Sequence, residues 1–85
     1  MRLDNIISIS DDTLGGTPVF TGTRVPIESL FQHLESGISL DEFLDDFPSV
    51  SKDKAVALIH FANGFILSVL PTLFKDENTD RRKSA

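Results

Sequence analysis

The chain has 85 residues, 40% of them hydrophobic, with seven Phe, no Trp or Tyr, and a net charge of −5. That composition fits one small folded domain and not a disordered chain. There is no cysteine, which excludes disulfides, a thiolate nucleophile and a zinc–thiolate centre.

The elements follow in order. Residues 5–10, Asn-Ile-Ile-Ser-Ile-Ser, are β-branched and partly alternating and predict a short strand. Asp11 to Gly16 is turn material. Pro18 to Val25 predicts a second strand, with Gly22 marking a bulge or a close backbone approach. Pro26 suits the first position of a helix, because its missing N–H costs nothing there. Ile27, Leu30, Phe31 and Leu34 then form an apolar helical face, and Gly37 is a stop. Ser39 with Glu42 makes a capping box for a second helix, whose apolar positions are Leu40, Phe43, Leu44 and Phe47. Pro48 ends that helix. Ser51 caps a third, with Ala55, Leu58, Ile59, Ala62, Phe65 and Ile66 on one face. Asn63-Gly64 is a place for that helix to end or bend, and the helix is expected to run on to Pro71.

The predicted fold is α+β and mostly α. A short N-terminal strand pair (1–25) precedes a trihelical, helix-turn-helix-like bundle (26–63) of homeodomain-like or winged-helix-like layout. A partner-binding helix (64–74) completes the single domain, and residues 75–85 form a polar tail. Ile66, Leu67, Val69, Leu70, Leu73 and Phe74 nearly encircle the end of the third helix. A helix apolar all round must be buried, so this segment is expected to bury itself against another chain.

Two sequence elements together are specific. The first is Gly16-x-Pro-Val-x-x-Gly22-Thr23-Arg24-Val25-Pro26. The second, after a short helix, runs Ser-Gly-Ile-Ser-Leu-Asp-Glu-Phe-Leu-Asp-Asp-Phe-Pro-Ser-Val-Ser from Ser36 to Ser51. Together they resemble the domain-of-unknown-function 433 family over Gly16 to about Ala62. The resemblance implies a helix-turn-helix-like bacterial or archaeal domain similar to VapB-like antitoxins. Such antitoxins are often encoded beside a PIN-like ribonuclease toxin, which they neutralise, and can repress the shared operon. Family members are typically homodimers. Asn63-Gly64 and the run from Phe65 to Phe74 match no motif of the family.

Several site residues are expected. Gly16, Gly22, Thr23, Arg24 and Pro26 form a structural motif, with Arg24 paired to a helix carboxylate such as Asp41, Asp45 or Asp46. The strand carrying them is expected to pair with its copy in a dimer. A phosphate loop is not expected, since no Gly-Lys-Ser/Thr is present and the following helix starts with Pro26 and Glu28. Any contact with operator DNA falls to Ser51, Lys52 and Lys54 at the start of the third helix. Asp53 opposes that contact, and no Arg, Asn or Gln stands in the first turn to read a base. Phe65, Ile66, Val69, Leu70, Leu73 and Phe74 are the candidate partner or dimer surface. Arg81, Arg82 and Lys83 could reach acidic carboxylates of a nuclease.

His33 and His60 lack metal-ligand spacing, and His60 is expected to be partly buried. No cofactor and no enzymatic constellation is read. The N-terminal residues do not read as a leader sequence, so none is expected, and the longest apolar stretch, 64–74, is expected to be too short for a membrane span. A cytoplasmic protein is therefore expected. The alternative to an antitoxin is a stand-alone helix-turn-helix transcriptional regulator without a toxin; a third reading is a structural dimerisation module.

Overall fold

The computed structural model describes residues 2–74. It is α+β and mostly α: strands β1 (Ile7–Ser8) and β2 (Val19–Phe20) are antiparallel, and helices α1 (Ile27–Glu35), α2 (Leu40–Asp46) and α3 (Lys52–Leu73) follow.

Both strands are shorter than the sequence predicts. β1 is preceded by a single 3-10 turn, Leu3–Asn5, beside an exposed Arg2–Asp4 ion pair at 3.0 Å. It ends where Ser10 turns the chain: its hydroxyl accepts from the Asp12 N–H at 3.2 Å and its carbonyl from the Thr13 N–H at 3.0 Å. Ile9 is thereby left exposed.

β2 stops at Phe20 because the Gly-Thr-Arg-Val-Pro element is a tight turn. The Thr23 N–H donates to the Phe20 carbonyl at 2.9 Å, and Gly22 takes a φ of +83°. A positive φ at the third position of a four-residue turn requires glycine or asparagine. A Cβ added at Gly22 would meet nothing within 4 Å, so neither a bulge nor a close approach explains it. The Thr23 hydroxyl locks the turn, donating to the Phe20 carbonyl at 2.8 Å and accepting from the Val25 N–H at 3.0 Å.

The chain then returns along β2. The Phe20 N–H donates to the Val25 carbonyl at 2.9 Å, and Val19 bridges Pro26. β2 thus has β1 on one edge and Val25–Pro26 on the other. Val19 and Phe20, flanked on both sides, therefore have no free edge with which to pair a copy. Pro26 is held extended (φ −61°, ψ 138°) by the same bridge and sits at the N-cap of α1, not at its first turn.

The end of α1 and the starts of α2 and α3 are as their sequences predict. α1 stops in a Schellman motif: the Gly37 N–H donates to the Leu34 carbonyl and the Ile38 N–H to the His33 carbonyl. The capping box of α2 is complete, with the Ser39 N–H donating to Glu42 Oε1 at 2.9 Å and the Glu42 N–H to the Ser39 hydroxyl at 3.1 Å. Ser51 caps α3 by accepting from the Lys54 N–H at 3.2 Å.

One core joins these elements. Ile6, Phe20, Leu30, Phe43, Val50, Ala55 and Leu58 are buried together, and half-buried apolar residues of all three helices pack around them. His33 sits edge-on to Phe43 and Phe47 at 5.2 and 5.5 Å and donates from Nδ1 to the Ser29 carbonyl at 2.7 Å. Leu34, in the last turn of α1, is exposed and does not extend the predicted face.

Candidate functional site

α3 is continuous from Lys52 to Leu73, about 33 Å long, with no break at Asn63-Gly64 and with Pro71 inside its last turn. Its two halves have different surroundings. Ala55 and Leu58 are buried in the core, and Ile59 packs on it. Beyond Ala62 the helix projects, with Phe65 56%, Leu67 60% and Leu73 70% exposed. Ile66 and Phe74 are also exposed, and Val69 and Leu70 are half-buried. Residues 55–74 contain no Asp, Glu, Lys or Arg.

The projecting half has two apolar faces. Ile66, Val69 and Leu73 continue, at spacings of three and four and through the half-buried Ala62, the line of Ala55, Leu58 and Ile59 that packs on the body. The second face is a shallow open groove lined by His60, Phe61, Gly64, Phe65 and Ser68. At about 100° per residue the two faces lie about 120° apart around the helix. The rings of Phe61 and Phe65 stack at 6.3 Å and 27° along one side of the groove. Gly64 weakens the helix by roughly 1 kcal/mol relative to Ala, yet a Cβ there would meet nothing within 4 Å.

The residues expected to touch DNA are largely engaged inside the fold. Lys54 Nζ donates to the Thr21 carbonyl at 2.9 Å, across 33 residues of chain. The Ser51 hydroxyl accepts from the Lys54 N–H as the cap of α3. Lys52 is exposed. Arg24 is exposed and makes no ion pair among the described residues, so the expected pairing with Asp41, Asp45 or Asp46 does not form. It follows the turn, beside the half-buried Val25. Gly16 closes the turn before β2 at a φ of +92°. Arg81, Arg82 and Lys83 lie outside the described residues.

Sequence reasoning missed Thr21. Its N–H donates to the Ile6 carbonyl, its hydroxyl to the Asp4 carbonyl and its carbonyl accepts from Lys54, all at 2.9 Å. One residue thus ties the N-terminal segment, the hairpin and α3 together. No local sequence signal marks it, because all three partners are distant along the chain.

His60 is exposed at the groove, not partly buried as its position suggested. Among the described residues no three His, Asp or Glu side chains converge as metal ligands. α3 is long and apolar enough to cross a membrane by length and composition, with a mean hydropathy of 1.8 over its best window. The tertiary structure limits that use, since a span over the whole helix would strip Ala55 and Leu58 from the core. The part clear of the core, from about Phe61 to Phe74, is about 20 Å long, against a hydrocarbon thickness of about 30 Å.

The fold and this surface define a small α+β body that presents a projecting apolar helix. The family model described as protein of unknown function DUF433 matches residues 7–62, and the chain belongs to that family. The match ends where the helix leaves the core. The uncharacterized protein y4eO of Sinorhizobium fredii (strain NBRC 101917 / NGR234) is 41% identical over 49 residues, which are 58% of this chain and 22% of that protein. The chain therefore spans under a quarter of that relative's length. No solved structure matches.

Proposed function

We propose that this protein is the antitoxin of a toxin–antitoxin pair and neutralises a PIN-like ribonuclease by laying the distal half of α3 into an apolar groove of the toxin. The observation that carries the binding role is the uncharged, exposed helix beyond Ala62. Phe65, Ile66, Leu67, Leu73 and Phe74, spread around the helix, together leave on the order of 500 Å² of apolar surface in water. Ile66, Val69, Leu70 and Leu73 form the contact face, with Phe65 and Phe74 at its flanks. The choice of a PIN-like ribonuclease rests on the resemblance of the Gly16–Ala62 region to VapB-like antitoxins. Repression of the operon through a dimer is a secondary role. Stand-alone DNA binding has less support, because Lys54 and Ser51 are engaged within the fold and Glu28, Glu35, Asp41, Asp45, Asp46 and Asp53 are exposed acids on the three helices.

The test is co-expression with the product of the neighbouring reading frame, followed by gel filtration with absolute mass determination. A stable complex that also relieves growth inhibition is expected. Ile66→Glu should abolish both while leaving the helical circular dichroism unchanged, since Ile66 is exposed. A non-toxic neighbour, or full neutralisation by Ile66→Glu, would refute the proposal.

A further inference from the structure

The apolar surface of the distal half of α3 is wider than one contact face. We propose that the toxin encloses this helix between two apolar walls, one against Phe65 and the other against Leu67, with the open side of the slot over Gly64 and Ser68. The inference rests on the toxin reading; it adds the shape of the seat and the contact residue Leu67, which a single face leaves in water.

Three features of the helix carry it. The first is the width of the apolar arc. At about 100° per residue, Phe65 and Leu67 stand about 200° apart when the turn is taken through Ile66. Val69, Leu73, Ile66, Leu70 and Phe74 fall between them in that order, at intervals of about 20–40°. A helix laid in an open groove needs an apolar stripe of little more than about 100°, with polar or charged residues on the other side. The arc here is about twice as wide, and both its edges are well exposed, Phe65 at 56% and Leu67 at 60%. One wall cannot reach both edges.

The second feature is what lies outside the arc. Gly64, Ser68, Pro71 and Thr72 share the remaining arc of about 160°. None of them is charged, and no Asp, Glu, Lys or Arg occurs from Ala55 to Phe74. The rim of an interface is ordinarily polar and stays wet. Phe65 and Leu67 stand where a rim would be and carry the side chains of an interface core.

The third feature is the rest of the chain. Residues 75–85 contain no Val, Ile, Leu, Met or Phe, so they have no large apolar side chain with which to cover the arc. The body packs on the other half of the helix, through Ala55, Leu58 and Ile59. The cover is therefore a partner's. Its walls are uncharged, because a charge facing the arc would be buried without a counter-charge. The slot is about 20 Å long, the length of residues 61–74, and about 10 Å wide, the diameter of one helix. The exposed part of the arc, on the order of 500 Å², and an equal area of the toxin give about 1,000 Å² in total, the lower limit of a specific interface. A single face buries less than that.

The test uses the complex with the product of the neighbouring reading frame. Phe65→Glu and Leu67→Glu both replace exposed residues by a good helix former, so the helical circular dichroism should be unchanged. Each should weaken binding by at least about a hundredfold, as a charge pressed against an apolar wall does. Ser68→Glu, on the open side, should change it little. Because the chain has no cysteine, single-cysteine variants report enclosure directly, through alkylation by N-ethylmaleimide read from the mass of this chain. Phe65→Cys and Leu67→Cys should react at least about tenfold more slowly in the complex than free, and Ser68→Cys about as fast in both. Parent-like binding by Phe65→Glu or Leu67→Glu, with Ile66→Glu inactive, overturns the slot and leaves the toxin reading standing. So does undiminished alkylation of Leu67→Cys in the complex, or protection of Ser68→Cys as strong as that of Leu67→Cys. Absence of any complex with the parent chain overturns both.

Discussion

Replacing Lys54 by Met separates a structural lysine from a DNA-contacting one. The substitution keeps the aliphatic stem and the helix propensity and deletes only the ammonium. In the structure that ammonium donates to the Thr21 carbonyl at 2.9 Å from a half-buried side chain. Hydrogen bonds from charged donors contribute about 1.5–3 kcal/mol, and partial exposure places this one at or below the lower end, about 1–1.5 kcal/mol. Loss of the bond also frees α3 from a turn whose other bonds, Thr21 to Ile6 and to Asp4, run back to the N-terminus. With a urea m-value of about 1 kcal/mol per molar for so small a domain, the midpoint should fall by about 1 M. In a thermal melt the same change lowers Tm by about 4–10 °C. The assay is urea denaturation followed by circular dichroism, with Lys52→Met as the exposed control, expected to shift the midpoint little. A phosphate-binding Lys54 predicts the reverse: unchanged stability, and a salt dependence of DNA affinity reduced by about one unit of slope. An unchanged urea midpoint for Lys54→Met would refute the clamp.

Two further substitutions test the local geometry. Gly22→Ala should destabilise the fold by about 1–2 kcal/mol in the same denaturation assay, from the left-handed backbone alone, since its Cβ has open space; Gly22→Asn should be milder. The Glu42 carboxylate is held below the usual carboxylate range by the Ser39 N–H that it accepts, then by the Ser39 hydroxyl. The depressed folded value means that its stabilisation of α2 is present above the unfolded pKa, about 4.3, and is lost as pH falls through the lower folded value. Melts of Glu42→Gln between pH 6 and pH 3 should show less acid loss than the parent chain; equal slopes would remove the cap from the acid response.

What the sequence determined by itself was local. The Ser39–Glu42 box, the Gly37 stop, the Ser51 cap and the helical faces from Ile27 to Ala62 join residues within about one or two turns of each other. Their signals are complete within a short window. The apolar half of α3 was legible for the same reason, because a charge-free run needs no partner to be seen. The tertiary structure decided what depended on distant segments. Thr21 became a clamp only because Lys54, 33 residues on, reaches its carbonyl. β2 lost its free edge because Gly22 turns the chain back upon it, and Arg24 followed that turn into solvent. α3 runs unbroken through Gly64, since one glycine weakens a helix by roughly 1 kcal/mol and an anchored helix tolerates that. Which face of that helix stays open was set by where the body packs, and hydrophobic spacing alone does not contain that information, because several apolar lines on one helix compete for a single core.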